Sequence, residues 1–192
     1  MNDKEYVVQY LQETSEIVGT INQNDIVSAI QTLRTVKKDG GRLFILGVGG
    51  SAANASHAVN DFRKLAGIET YAPTDNVSEL TARVNDDGWR TTFNKWLETS
   101  RLNEKDGILV FSVGGGSKTT SLNIKDAIDL AVGRKAKIVA IVSRDGGYAK
   151  ANADACVLVP VVSEERITPH AEGWQGVIWH LIVNAIASQA IA

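Results

Sequence analysis

The chain has 192 residues, 44% of them apolar and 22% charged, and a net charge of −2. That is enough chain for one full core, and the balance excludes a fibrous or disordered class. No basic block points to nucleic acid, no apolar run approaches membrane-span length, and the lone Cys156 excludes an internal disulfide, so a single cytoplasmic domain with a buried, inert thiol is expected.

From Lys4 to Lys37, apolar residues recur at Val7, Val8, Leu11, Ile17, Val18, Ile21, Ile26, Ile30 and Leu33. That spacing predicts one long helix, or two with a break near Asn22-Gln23-Asn24. Nothing in it points to catalysis. Residues 1–38 are read as an N-terminal helical segment, and residues 39–192 as an α/β core in the same domain.

The core opens on the short apolar run Leu43-Phe44-Ile45-Leu46, then Gly47-Val48-Gly49-Gly50-Ser51, then small helix-forming residues that carry His57 and Asp61. An apolar run bounded by glycine suits a buried strand, glycines let a backbone approach a ligand, and Ser51 suits a helix N-cap. Amides at such a helix start attract anions, so the unit reads as strand, phosphate-binding loop and helix. It is neither a G-x-G-x-x-G fingerprint, because Ala52 stands at the last glycine, nor a Walker A loop.

Beyond it, Gly67 to Pro73 reads as a short strand or loop, Asp75 to Leu80 as polar, and Ala82 to Trp89 as turn-rich. Arg90 to Ser100 reads as an amphipathic helix. A second buried strand, Ile108 to Phe111, runs into Ser112-Val113-Gly114-Gly115-Gly116-Ser117, and a helix is expected over Thr120 to Val132. Lys137 to Val142 and Cys156 to Val159 complete four strands, with Ser143-Arg144-Asp145-Gly146-Gly147 between the last two and a terminal helix over Ala171 to Ala190. Alternating strands and helices predict a three-layer α/β/α sandwich, doubly wound on a parallel sheet, with its site at the strands' C-terminal ends.

Ser51, Ser112, Ser117, Thr119, Thr120 and Ser121 gather at two strand-to-helix turns, where hydroxyls and amides hold a phosphate with little positive charge. His57 and Asp61, four residues apart, share a helix face and suit either acid–base work or metal ligation. Asp61 lies ten residues beyond Ser51, roughly 15 Å along a helix at ~1.5 Å per residue, so another segment or a neighbouring subunit must fill the interval. His180, mid-helix among Val177, Ile178 and Leu181, reads by itself as a core histidine. Glu172 and Gln175 are the polar residues before it, and His170, beside Pro169, reads as surface.

Together these stretches resemble the sugar isomerase (SIS) domain, and within it the phosphoheptose isomerases of heptose biosynthesis. The marks are Gly47-x-Gly49-Gly50-Ser51, His57, Asp61, Asn85-Asp86, the Ser112–Ser117 loop, Asp145-Gly146-Gly147 and His180. The resemblance implies an aldose–ketose isomerase that interconverts sedoheptulose 7-phosphate and a glycero-manno-heptose 7-phosphate through an enediol. It also implies a homotetramer with sites between subunits. By that likeness Ser51, Ser112 and Ser117 bind phosphate, with Gly49, Gly50, Gly114, Asn85, Asp86 and Glu172 also contacting the substrate. Asp61 and His180 are the catalytic pair, and His57, Asp61, Glu172 and His180 hold Zn2+. The chain departs from the family's pattern at six positions: Val48 for asparagine, Gly114 for serine, Asp61 for glutamate and Glu172 for glutamine, with Val113 and Gly116 of the Ser112–Ser117 loop also changed. The departures keep a second reading open, a non-catalytic phosphosugar- or protein-binding SIS module.

Overall fold

The computed structural model describes residues 1–188. The N-terminal segment is two helices, α1 (Asp3–Thr20) and α2 (Gln23–Lys38). Asn2 and Glu5 form a reciprocal capping box on α1, and Asn22 caps α2 by accepting from the Asn24 amide at 3.0 Å. The break thus falls where the asparagine-rich stretch predicts it.

Strands β1 (Leu43–Leu46), β2 (Thr70–Tyr71), β3 (Gly107–Phe111), β4 (Lys137–Val142) and β5 (Ala155–Leu158) form one parallel sheet in the order β2-β1-β3-β4-β5. The ambiguous stretch after residue 67 supplies β2, the edge strand, so there are five strands where four were expected. Because a strand's side chains alternate between faces, Leu43 and Ile45 join one core and Phe44 and Leu46 the other. On the first face Ile17, Leu33, Phe62, Ile178 and Ile182 pack against Leu109, Phe111 and Val139. On the second, Phe93, Trp96, Ile124 and Ile128 pack against Ile108, Val110 and Ile138. Both faces are covered, which is why the strands read as unbroken apolar runs.

The remaining helices are α3 (Gly50–Lys64), α4 (Val77–Asp87), α5 (Thr92–Thr99), α6 (Leu122–Arg134), α7 (Gly147–Asn152) and α8 (Ile167–Ser188). Three differ from expectation. The stretch read as turns is helix α4: Asn76 caps it by accepting from the Glu79 amide, and Glu79 pairs with Arg83 one turn on at 2.7 Å. Helix α7 starts within a glycine pair that reads as a turn, with Gly146 as its N-cap and Gly147 as its first residue. Helix α8 begins four residues before Ala171, because Pro169 in its first turn needs no amide partner. Residues 189 and 190 of the expected terminal helix lie outside the described residues.

His170 also departs from expectation: it is buried, not at the surface. Its Nε2 sits 2.8 Å from Glu13 Oε2, while Arg166 grips both oxygens of Glu13 at 2.7 and 2.8 Å. The Arg166 guanidinium holds the Glu13 carboxyl down to about 2 from its ordinary 4.5, and His170 and Gln9 act in the same direction. This closed cluster ties α1 to the start of α8.

Candidate functional site

In an open α/β sheet of this order, the strand order reverses between β1 and β3, and ligands bind there at the strands' C-terminal ends. A cleft of about 530 Å³ lies at that point, lined by Val48 and Ser51 after β1 and by the Ser112–Ser117 loop after β3. Gly49 takes φ 64° and ψ −128°, a conformation that favours glycine, and turns the chain into α3. Gly49 is the N-cap and makes no side-chain cap bond, so Ser51 lies inside the first turn rather than at the cap position expected for it. Ser51 is buried there, beside the first-turn amides that have no partner within the helix.

The second loop is held by its own hydroxyls and by a third loop. Ser112 Oγ accepts from the Gly115 amide at 3.1 Å, and Ser117 Oγ from the amides of Thr119 and Thr120 at 3.2 and 3.0 Å. Residues 143–149 lock onto it through Ser143 N to Val113 O (3.0 Å), Tyr148 N to Gly116 O (2.9 Å) and Ala149 N to Gly115 O (2.9 Å). A side chain at Gly147 would collide with the carbonyl oxygens of Gly114 and Gly116, so the Asp145-Gly146-Gly147 sequence is what allows this approach.

Helix α3 then runs away from the cleft and packs against α8, and the two helices bring together residues distant in sequence. Asp61 is buried at the centre of the meeting point. Its Oδ2 accepts from Trp179 Nε1 at 3.2 Å and lies 3.3 Å from His180 Nε2 and 3.7 Å from His57 Nε2. Its Oδ1 accepts from Asn60 Nδ2 at 3.1 Å. His180 Nδ1 sits 2.7 Å from the Gly176 carbonyl; an N–H there would donate to it and leave Nε2 facing the carboxylate. The His57 and His180 side chains are 57% and 48% exposed, so the buried carboxylate is covered by two reachable imidazoles rather than by apolar packing. One ligand atom from each of His57, Asp61 and His180 lies within 4.8 Å of the others. Two imidazole nitrogens and one carboxylate oxygen, with an open side, suit a divalent metal of the zinc type.

Several expected site residues fall elsewhere. Glu172 does not belong to that three-residue group; its carboxylate lies over Gly50 at the start of α3, where a Cβ at position 50 would overlap it. Asn54 of α3 donates to the Glu172 carbonyl and to Gln175 Oε1, each at 2.9 Å, and so fixes this part of α8 against α3. Ser51, Ser112, Gly114 and Ser117 line the cleft; Gly49 and Gly50 stand between the lining residues Val48 and Ser51 at the start of α3 but do not line it themselves. Asn85 and Asp86 are exposed at the C-terminal end of α4, bonded to one another at 2.7 Å, and do not line the cleft. Conversely, Arg144 and Thr168 line the cleft and Trp179 holds Asp61, and none of these was singled out from sequence. Arg144 has a sequence signal, a cation placed directly before Asp145-Gly146-Gly147. Thr168 and Trp179 have none, because both depend on how α8 docks.

Residues 6–143 match the SIS domain family. The chain is 36% identical over 135 residues to a phosphoheptose isomerase of Geobacter metallireducens, an overlap of 68% of this chain and 69% of that one. It is 29% identical over 189 residues to the lincomycin biosynthesis protein LmbN of Streptomyces lincolnensis, covering 92% of this chain and 67% of the other. Its backbone is similar to the phosphoheptose isomerase structure from Neisseria gonorrhoeae, with a TM-score of 0.83, 24% identity and 96% of each chain covered.

Proposed function

The chain belongs to the SIS-domain family, and on that premise we propose that it is an aldose–ketose isomerase of phosphosugars, interconverting sedoheptulose 7-phosphate and a glycero-manno-heptose 7-phosphate. The observation that carries this reading is the pairing of a hydroxyl-lined cleft at one end of α3 with a histidine–carboxylate cluster further along it. Ser51 and Asp61 are ten residues apart, roughly 15 Å of helix, and α8 lies along that interval, with Glu172 at Gly50 and His180 at Asp61.

In this reading Ser51, Ser112 and Ser117, with the loop amides, hold the phosphate, and Gly49, Gly50 and Gly114 let it approach the backbone. Asp61 takes a proton from C1 of the ketose, and the bonding pair becomes the C1–C2 double bond of the enediol. His180 gives a proton to the C2 oxygen in the same step. Return of a proton to C2, with loss of the C1 hydroxyl proton, leaves the aldose. His180 also serves as the group that opens the sugar ring. His57, Asp61 and His180 would hold Zn2+, which when bound polarises the sugar's oxygens. Glu172, beside Gly50, serves sugar hydroxyls near the phosphate and not the metal.

The assembly we propose is a homotetramer with shared sites. Tyr6, Val7, Leu11 and Val18 of α1 and Val177 and Leu181 of α8 are apolar and exposed, and His180, half open like His57, lies between the last two in α8. Burial of these faces against other copies would close the catalytic cluster, and a neighbouring copy is the route by which Asn85 and Asp86 would reach substrate. The lone free thiol of Cys156 is in keeping with a cytoplasmic location.

The test is incubation of pure protein with a panel of phosphosugars, followed by NMR. Conversion of the seven-carbon 7-phosphate is expected; no turnover of any sugar, with or without zinc, would overturn the reading. One observation favours a second reading, a non-catalytic phosphosugar-binding module: Asp61 already accepts from Trp179 and Asn60. A thermal shift on adding the sugar phosphate, without conversion, would select it.

A further inference from the structure

Every hydroxyl and amide on the cleft wall is neutral, yet the ligand assigned to it above is a dianion. Among the described lining residues Arg144 alone carries a charge. We propose that Arg144, beside Gly114 on the cleft wall, is the phosphate-recognising cation of this site. The inference rests on the isomerase reading and adds a residue to it.

Three observations on this chain converge. First, Arg144 lies beside Gly114: a Cβ built on Gly114 would meet Arg144 Cδ at 3.8 Å, an ordinary contact, so the arginine's stem runs along the wall formed by the second loop. Second, among the described residues Arg144 makes no ion pair and no side-chain hydrogen bond. On its other side it borders a shallow depression that includes Asp145 and Glu164, and neither carboxylate pairs with it. Its guanidinium donors are thus uncommitted, and a planar fork of donors matches a phosphate oxygen pair.

Third, the backbone at Arg144 is held in a conformation that its side chain disfavours. The Gly146 amide bonds the Ser143 carbonyl at 3.0 Å, closing a turn in which Arg144 takes φ 55°. Glycine adopts that region without strain; a residue with a long side chain does not. The turn cannot relax easily, because residues on both sides of it bond the second glycine loop through Ser143, Tyr148 and Ala149. Arg101 and Lys135 take a similar φ away from the cleft, so the conformation alone marks no site; at Arg144 the held turn fixes where the arginine's stem starts on the cleft wall.

The same strain gives the test. Calorimetric titration with inorganic phosphate, and then with a seven-carbon sugar 7-phosphate, compares the wild type with R144Q and R144G. Both variants are expected to bind roughly ten- to a hundredfold more weakly, the scale of a lost charge-assisted contact. R144G is expected to melt no lower than the wild type, because glycine relieves the turn. R144K is expected to fall between, since it keeps the charge and loses the fork. Indistinguishable phosphate affinity in wild type and R144Q would overturn the role of Arg144 and leave the isomerase reading standing. A wild type that binds no phosphate and converts no phosphosugar would remove that reading, and with it this role.

Discussion

The molecule holds two carboxylate clusters that look alike in composition and differ in what surrounds them. Glu13 and Asp61 are each 7% exposed, and each sits beside a histidine from α8. Glu13 is gripped by Arg166 at 2.7 and 2.8 Å and by His170 at 2.8 Å, and His170 is itself only 4% exposed. Asp61 faces two half-exposed histidines at the looser distances of 3.3 and 3.7 Å. A carboxylate whose cationic partner is short, buried and bidentate is a clamp; it has no position left for a substrate. A carboxylate held by the neutral donors Trp179 and Asn60, whose histidine neighbours are reachable, keeps one. Depth does not separate the two clusters, but the exposure of the partners does.

The largest expected contrast is in turnover. D61N is expected to lower isomerase activity about 10²- to 10⁴-fold, the range of a lost general acid–base group, with the fold retained by circular dichroism. Unchanged activity would place the chemistry elsewhere. Next in size, H57A is expected to weaken zinc binding by more than about a hundredfold in metal titrations; an unaltered metal affinity would break the three-residue site.

E13Q should invert the pattern. It leaves the buried Arg166 without its ionic partner, and the melting temperature is expected to fall by roughly 5 °C or more while the folded fraction turns over normally. The pH dependence has a definite sign. The folded carboxyl sits at about 2 against an ordinary 4.5, so its contribution is complete above about pH 4.5 and is lost as pH falls toward 2. Wild-type melting should therefore drop across that window, and E13Q should show a shallower acid limb there. The smallest effect concerns Cys156, whose thiol is pushed up to about 11 by burial. No alkylation of the native protein is expected at neutral pH, and full alkylation once it is unfolded, as read by mass spectrometry.

The two clusters also show where sequence reading stops. Local pattern located β1, β3 and β4, the break at Asn22 and both glycine loops, because each depends on neighbours a few residues away. It missed α4, where Asn85-Asp86-Asp87-Gly88 reads as a turn and the deciding features are the Asn76 cap and the Glu79–Arg83 pair. His57 and Asp61 were legible as a pair from their spacing, and His180 entered through family resemblance. Their meeting at 3.3 Å depends on α3 docking against α8 across 119 residues of sequence. The same kind of docking misled the reading of His170, whose partner Glu13 lies 157 residues away. It also carried Glu172 to Gly50 instead of to the metal group, because a helix fixes eight-residue spacing along its axis but not the neighbour it meets.

The most direct test of the account is sedoheptulose 7-phosphate incubated in D2O with wild type, D61N and E13Q, below the melting temperature of each and followed by NMR. The account predicts aldose formation with solvent deuterium at C2 for wild type and E13Q, and neither signal for D61N. Equal conversion by D61N and wild type, or loss of conversion in folded E13Q alone, would contradict it.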